Sequence, residues 1–224
     1  NINFNEQTQQ HSFFSVKEKA WHGLGQIVHD YPNSKEALQF AGLDFEVCKR
    51  PNIHRLDNGN EIISTNSFYT YRPDTTAILG DRLGKDYEVV QNIDAFSFFD
   101  AIVDGDGIQY ETAGALGKGE KIFITAKLPG YIKVGSDDMI EKYLFLTTSH
   151  DGFGSIMAAF TPIRIVCNNT LNAALKNCSN SIKIRHTANA KERLEEAYKV
   201  MGISNQLSAQ LEGIFNQWAK VRIT

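Results

Sequence analysis

The sequence predicts an α+β fold with a largely antiparallel sheet, packed helices and a helical C-terminal segment. Short runs of alternating apolar and polar residues are joined by glycine-containing turns, which is typical of antiparallel strands. Apolar residues at helical spacing occur in separate stretches between these runs. From Ala188 onward the pattern is mostly helical. Strands and helices mixed in this order favour an α+β class over an alternating α/β one.

The strands are predicted from their turns. Asn58-Gly59 is a strong hairpin signal between FEVCKR and EIISTNSFYTYR, and Pro73 ends the second of these runs. The turn GKG joins IQYETAGAL to EKIFITAKL, and DGFG joins KYLFLTTSH to SIMAAFTPIRIVC. Two further strands are predicted for YEVVQN and SIKIRH.

The helices are predicted from caps and periodicity. Ser34 and Gly42 bound a short helix, Asn92 caps the apolar-rich IDAFSFFDAIV, and NTLNAALKN has helical composition. The last helix carries a heptad-like apolar stripe formed by Leu207, Leu211, Ile214, Trp218 and Val221. We expect a main α+β domain over residues 1–187, and a helical segment over 188–224 that packs on it or on a neighbouring subunit.

Composition excludes some classes of function. The 224 residues can bury a substantial core, and the net charge of −3 means that any basic surface must be local. No apolar run approaches the roughly 18–20 residues that span a bilayer, and the N-terminal stretch has no signal-peptide pattern. Three cysteines without a paired spacing favour a reducing compartment, so we expect a cytoplasmic protein without membrane contact. Because the helical pattern reaches residue 224, the natural chain is expected to continue.

Two strand-to-helix junctions hold the main candidate site. TPIRIVCNNTL, residues 161–171, places Arg164 near a strand end and Asn168 and Asn169 at a helix start. IKIRHT, residues 182–187, repeats the arrangement with Arg185 and His186. Helix N-termini favour anions, and arginine binds phosphate or carboxylate in a bidentate manner. If both strands share a sheet, both junctions are expected at one edge around a common anion.

Positive charge is concentrated around these junctions. Residues 161–193 contain six basic residues and one acid, a local charge of +5, so the rest of the chain carries −8. Such a patch suits a nucleic-acid backbone, with Lys183 among the contacts. The alternative is that the asparagines are only caps and the lysines only a soluble surface.

Two further stretches are unusual. WHGLG, residues 21–25, offers Trp21 and His22 as a stacking platform for bases, although a tryptophan more often anchors a core. SHDG, residues 149–152, offers His150 and Asp151 as an acid/base pair, although Asp-Gly is ordinary turn chemistry.

An alternative catalytic site would combine His150, Asp151, Cys167 and His186. A thiol at a helix N-terminus has a lowered pKa, which suits a nucleophile, although a lone cysteine after an apolar strand is usually core. The histidine spacings match no metal motif, and the glycine patterns are too short for a nucleotide fingerprint. No metal or cofactor is therefore predicted.

Seven stretches occur in an order that resembles the phage/plasmid-like protein family, a family of unknown function found in bacteriophages, prophages and mobile elements. They are AWHGLG, ALQFAGLDFEV, YEVVQNIDAFSFFD, YETAGALGKGEKIF, SHDGFGS, TPIRIVCNNTLNAAL and IRHT. The resemblance covers roughly residues 12–200, and VCNNTL is its most specific motif. It implies a role in mobile-element DNA metabolism in a bacterial host cell, where single-strand annealing proteins form rings and hold DNA in a basic groove.

The first hypothesis is therefore a protein that binds single-stranded nucleic acid, as an annealing or a replication and recombination accessory protein, with a homo-oligomer as one arrangement. The second is an enzyme that acts on a phosphate- or carboxylate-bearing substrate through the His/Asp/Cys/Arg set. The third is a host-interaction or anti-defence protein. The residues favour the first and lean against an enzyme.

Overall fold

The computed structural model describes residues 1–106, 109–128 and 143–200. These residues form four helices: α1 (Ser34–Phe40), α2 (Asn92–Asp106), α3 (Asn168–Lys176) and α4 (Ala190–Val200). They also form twelve strands: β1 (Phe4–Asn5), β2 (Gln10–His11), β3 (Phe13–Val16), β4 (Gln26–Val28), β5 (Cys48–Arg55), β6 (Glu61–Tyr71), β7 (Ile78–Leu83), β8 (Gln109–Leu116), β9 (Lys121–Lys127), β10 (Tyr143–Ser149), β11 (Ile156–Thr161) and β12 (Ser179–Ile184).

A seven-stranded sheet forms the centre, in the order β12-β11-β10-β9-β8-β3-β4. Its neighbouring strands pair antiparallel except for β3 and β4, which are parallel. The two hairpins predicted at GKG and DGFG are present as β8–β9 and β10–β11. The prediction of strands and helices with antiparallel sheets is thus confirmed.

Both faces of the central sheet are covered. Alternate residues of β10 point to opposite sides, so that Leu144 and Leu146 enter one core while Phe145 enters another. The first core lies against α1, α2 and α4. The second lies against α3, through Leu171 and Ala174. This double burial explains why the middle strands read as continuous apolar runs.

A separate three-stranded sheet, in the order β5-β6-β7, carries the hairpin predicted at Asn58-Gly59. Gly59 has φ +85°, which allows the tight turn. The sequence did not predict β7, because its Gly80 and Asp81 have poor strand propensity. Gly80 is needed there, since a Cβ atom would lie 2.6 Å from the backbone oxygen of Asp151.

The structure corrects the predictions for YEVVQN and for the cap of α1. YEVVQN is not a strand: the carboxamide of Gln91 instead accepts from the backbone N–H of Val47 (3.0 Å) and donates to its oxygen (2.8 Å), which replaces a strand ladder. The cap of α1 is Asn33 rather than Ser34. Asn33 Oδ1 accepts from the Glu36 N–H and the Glu36 carboxylate accepts from the Asn33 N–H, which is a capping box.

Of the predicted C-terminal helical segment, residues 188–224, the structure describes residues 188–200. α4 packs on α2 and β12, and its Ala190, Leu194 and Ala197 belong to the first core. The heptad-like stripe from Leu207 to Val221 lies outside the described residues, so the partition at residue 187 stays a prediction. Among the described helices, none is long and apolar enough to cross a membrane.

Candidate nucleic-acid interface

The stretches WHGLG and VCNN, far apart in sequence, meet in one cavity. We call it the Trp21 pocket; it has a volume of about 430 Å³. The lining side chains that bear on its chemistry are His11, Trp21, His22, Cys167, Asn168 and Asn169. The sequence named five of these six residues, but it did not indicate that they belong together.

The loop 20–25 holds Trp21 outward. The side chain of Trp21 is 78% exposed, so the core role that its residue type favoured is wrong. Gly25 has φ +77°, and a Cβ atom there would lie 2.3 Å from the backbone oxygen of Phe13. Glycine is therefore required where the loop returns against β3.

His22 joins this loop to the start of α3. Its Nε2 lies 2.9 Å from the backbone oxygen of Val166, and its Nδ1 accepts from the backbone N–H of Leu24 at 3.0 Å. The first contact needs a donor and the second an acceptor, so the ring is neutral with its proton on Nε2. His22 therefore links this loop to the segment before α3, and both of its ring nitrogens are hydrogen-bonded.

Cys167 occupies the N-cap position of α3 that the sequence assigned to Asn168 or Asn169. The hydroxyl of Thr170 accepts from the backbone N–H of Cys167 at 2.9 Å. Burial alone would raise the pKa of the thiol. Hydrogen bonds from the backbone and hydroxyl of Thr170, the backbone of Asn169 and the indole of Trp21 outweigh it and lower the pKa. Within the described chain, the carboxamides of Asn168 and Asn169 have no hydrogen-bond partner, so they can meet a ligand.

Arg164 is committed to the fold. β11 ends at Thr161, so Arg164 lies in the connection to α3 rather than at a strand end. Its Nε donates to the Glu111 carboxylate at 2.8 Å, and the side chains of Arg164 and Glu111 are only 18% and 6% exposed. It also donates to the backbone oxygens of Val16 and Glu18, at 3.4 and 3.3 Å. These contacts neutralise the cation that was predicted to meet phosphate.

The two junctions do not share an edge. β11 and β12 are neighbours as expected, but they are antiparallel, with Ile156 opposite Ile184 and Phe160 opposite Ser179. The C-terminal end of β11, which leads to Arg164, and the C-terminal end of β12, which leads to Arg185, therefore lie at opposite ends of this strand pair. The expectation of one anion held by both arginines is wrong.

Residues at the second junction alternate between surface and core. Lys183 and Arg185 are exposed, whereas Ile184 and His186 are buried. His186 stacks on Tyr87 with ring centroids 4.9 Å apart, and its Nε2 lies 3.2 Å from Thr148 Oγ1. His186 is thus a packed core residue. Lys183 and Arg185 are exposed, so they stay candidates for contacts with the phosphate backbone of a nucleic acid.

The alternative catalytic set is divided. His150 is fully buried, and burial, then the charges of His186 and Arg72, lower its pKa to about 3. Asp151 accepts from the backbone N–H of Phe153 at 2.8 Å, which is its turn role. These residues lie around the sheet end near β12, while Cys167 lines the Trp21 pocket near His22 and His11. No three His, Cys, Asp or Glu residues in the described chain are arranged to hold a metal ion.

The match to known families comes from the C-terminal two thirds. The model of a domain of unknown function, DUF932, matches residues 81–224. The chain belongs to this family. The matched segment includes Cys167, Asn168, Asn169 and Lys183, whereas Trp21 lies before it. No curated protein and no solved structure matches the chain. Membership in DUF932 carries no activity, so function must be argued from the site.

Proposed function

We propose that this protein binds single-stranded nucleic acid, with one nucleotide seated in the Trp21 pocket. The observation that carries the proposal is the indole of Trp21, 78% exposed beside the N-terminus of α3 in a cavity of about 430 Å³. An exposed indole leaves a large apolar surface in contact with water, and a base that stacks on it removes this unfavourable hydration. The cavity falls within the roughly 300–1,000 Å³ range of small-ligand sites.

The groups in the pocket suit the parts of a nucleotide. A base stacks on the indole without regard to its identity, because every base has a π face. The partial positive charge at the start of α3 favours a phosphate, although the backbone N–H groups of Asn169 and Thr170 already donate to the Cys167 sulfur. The carboxamides of Asn168 and Asn169 each offer a donor and an acceptor to a base edge or sugar. These donors are not tied up by capping, because Cys167 and Thr170 perform that role.

The setting that fits such a site is single-strand handling in a phage or mobile element, within the cytoplasm of a bacterial host. There the protein would anneal strands or assist replication and recombination, as a homo-oligomer if neighbouring copies extend the bound strand. The resemblance of the sequence to proteins of mobile elements supports this setting. A host-interaction or anti-defence role is the alternative that shares the same origin.

Binding of a fluorescein-labelled oligothymidylate, measured by anisotropy at low and moderate salt, tests the proposal. Trp21→Ala is expected to weaken binding about 5- to 150-fold, the equivalent of the roughly 1–3 kcal/mol carried by one stacked base. Trp21→Phe keeps an aromatic face and should retain most of the affinity. Ile63→Ala, at an exposed apolar residue of β6 in the three-stranded sheet, is the matched control and should bind normally. Equal affinity in Trp21→Ala and the parent protein would remove the pocket from the proposal.

A second candidate is an enzyme that uses Cys167 as a nucleophile, since the pKa of this thiol is lowered. His22 is a poor base for it, because both ring nitrogens are already engaged. Cys167→Ser separates the candidates: it should leave oligonucleotide binding within about twofold, and it should abolish an activity that needs the thiolate. An activity that survives in Cys167→Ser would rule out the thiolate enzyme.

A further inference from the structure

A second cavity lies at the other end of α3, on the same face of the central sheet. We call it the Lys183 pocket; it has a volume of about 350 Å³. The lining residues that matter here are Lys121, Phe153, Ser155, Met157, Leu175 and Lys183. Leu175 belongs to the last turn of α3, so this pocket and the Trp21 pocket lie at opposite ends of one helix.

The strand register places the two pockets along one line. Directly opposed residues form a single row across six strands on the α3 face: Phe13, Gly114, Phe123, Thr147, Met157 and Lys183. At one end Phe13 packs edge-on against His22 of the Trp21 pocket, with ring centroids 5.2 Å apart. At the other end the row enters the Lys183 pocket. Three to four strand spacings separate the pockets, roughly 15–20 Å.

The Lys183 pocket has the chemistry of a nucleotide site. Lys121 and Lys183 have no ion-pair partner among the described residues. Phe153 is 70% exposed between Gly152 and Gly154, whose φ angles of +83° and +110° hold it outward. The nearby carboxylate of Asp151 is occupied by the Ser149 hydroxyl and the Phe153 N–H. Two cations beside an exposed ring match the lysine and aromatic pairing that single-strand binding uses.

The helix α3 lies between the two pockets. The nine residues of α3, NNTLNAALK, contain no acid. Its exposed side chains Asn169, Asn172 and Lys176 are spaced three and four residues apart, so they form one outward stripe about 10 Å long. A phosphate backbone that crosses the helix would meet carboxamides and one lysine.

From these observations we infer that the Lys183 pocket is a second nucleotide subsite, and that one single strand runs over α3 from the Trp21 pocket to it. This inference rests on the proposed function. At the stacked rise of about 3.4 Å per nucleotide, six nucleotides reach about 20 Å, enough to occupy both pockets. A dinucleotide can occupy only one. Joining two subsites makes the second contact intramolecular, so affinity rises steeply once the strand is long enough.

The test is a length series of oligothymidylates of two, four, six and eight nucleotides, with affinity measured by competition against a labelled octamer. For the parent protein, affinity should rise tenfold or more between two and six nucleotides. Lys121→Gln/Lys183→Gln should abolish that rise, while binding the dinucleotide as the parent protein does. It should also reduce the slope of log affinity against log salt by about 1.4, or 0.7 for each lost phosphate contact. Phe153→Ala should likewise lose affinity only for the longer strands.

The matched control is Lys35→Gln/Arg55→Gln, which removes one exposed cation on α1 and one at the end of β5, and which has the same net charge as Lys121→Gln/Lys183→Gln. If the control loses as much affinity for the hexamer as Lys121→Gln/Lys183→Gln does, the effect is general charge and the second subsite is overturned. If the hexamer binds the parent protein and depends on Trp21, but not on Lys121 and Lys183, the inference fails and the proposed function stands. If no length binds the parent protein at low salt, both fail.

Discussion

At the scale of single residues, the least expected feature is a fully buried histidine on the side of the sheet away from α3. His150 Nε2 lies 2.8 Å from Asn92 Oδ1, and the Asn92 amide donates to the backbone oxygen of Leu43 at 3.0 Å. The carboxamide of Asn92 thus bonds to His150 and Leu43 and does not cap α2, so the prediction that Asn92 caps this helix is wrong. His150 must donate to Asn92, so its Nδ1 is unprotonated, and that atom is buried without a partner.

This arrangement predicts a stability that falls in mild acid. The folded-state pKa of His150, about 3, lies below its value of 6.5 in an unfolded chain. Between these values the unfolded state binds a proton that the folded state does not. The free energy of unfolding should therefore fall by up to about 1.4 kcal/mol for each pH unit below 6.5. His186, whose pKa is also lowered by burial, contributes in the same direction.

Urea unfolding at pH 7, 6 and 5 checks this prediction through the variant His150→Gln. The glutamine amide can still donate to Asn92 and cannot be protonated, so the variant should lose less stability between pH 7 and 5 than the parent protein. His54→Gln, at an exposed histidine, should keep the parent slope. If the slopes of His150→Gln and the parent protein coincide, His150 is not the group that titrates.

At the scale of elements, local signals predicted the hairpins and α3, because Asn-Gly, glycine turns and helical composition act over a few residues. Strand order depends on pairing between distant segments, so it was not readable, and the placement of Arg164 and Arg185 was wrong for that reason. Phe13 and Lys183 share a row only because four strands pair between them. The Trp21 pocket could not be predicted from the sequence either, because its two halves are distant in the chain: the contact between His22 and Val166 spans 144 residues.

The two junction arginines should therefore behave differently. Arg164→Gln leaves Glu111 buried without its partner, and should lower the free energy of unfolding by about 3 kcal/mol. Arg185→Gln removes an exposed cation, and should change stability by no more than about 0.5 kcal/mol. Thermal and urea unfolding of both variants make the comparison. Equal stability losses would show that the ion pair with Glu111 does not hold the connection before α3.

At the scale of the whole molecule, the basic side chains of residues 161–193 have different environments: some form ion pairs and others are exposed. Arg164 and Lys191 are paired, with Glu111 and Asp94 respectively. Lys176 and Lys183 are exposed, on or beside the α3 face. A net charge of −3 thus coexists with exposed cations near α3, and the proposed binding through this surface should weaken steeply as salt rises.

The fluorescence of Trp21 reports whether a base stacks on its indole. The chain has two tryptophans, so Trp218→Phe leaves Trp21 as the single emitter. Titration of this variant with an oligothymidylate hexamer at low salt should quench the emission, with a midpoint equal to the anisotropy midpoint and a loss of both signals at higher salt. Binding seen by anisotropy without a change in Trp21 emission would contradict the pocket. No binding at low salt would contradict the nucleic-acid function itself.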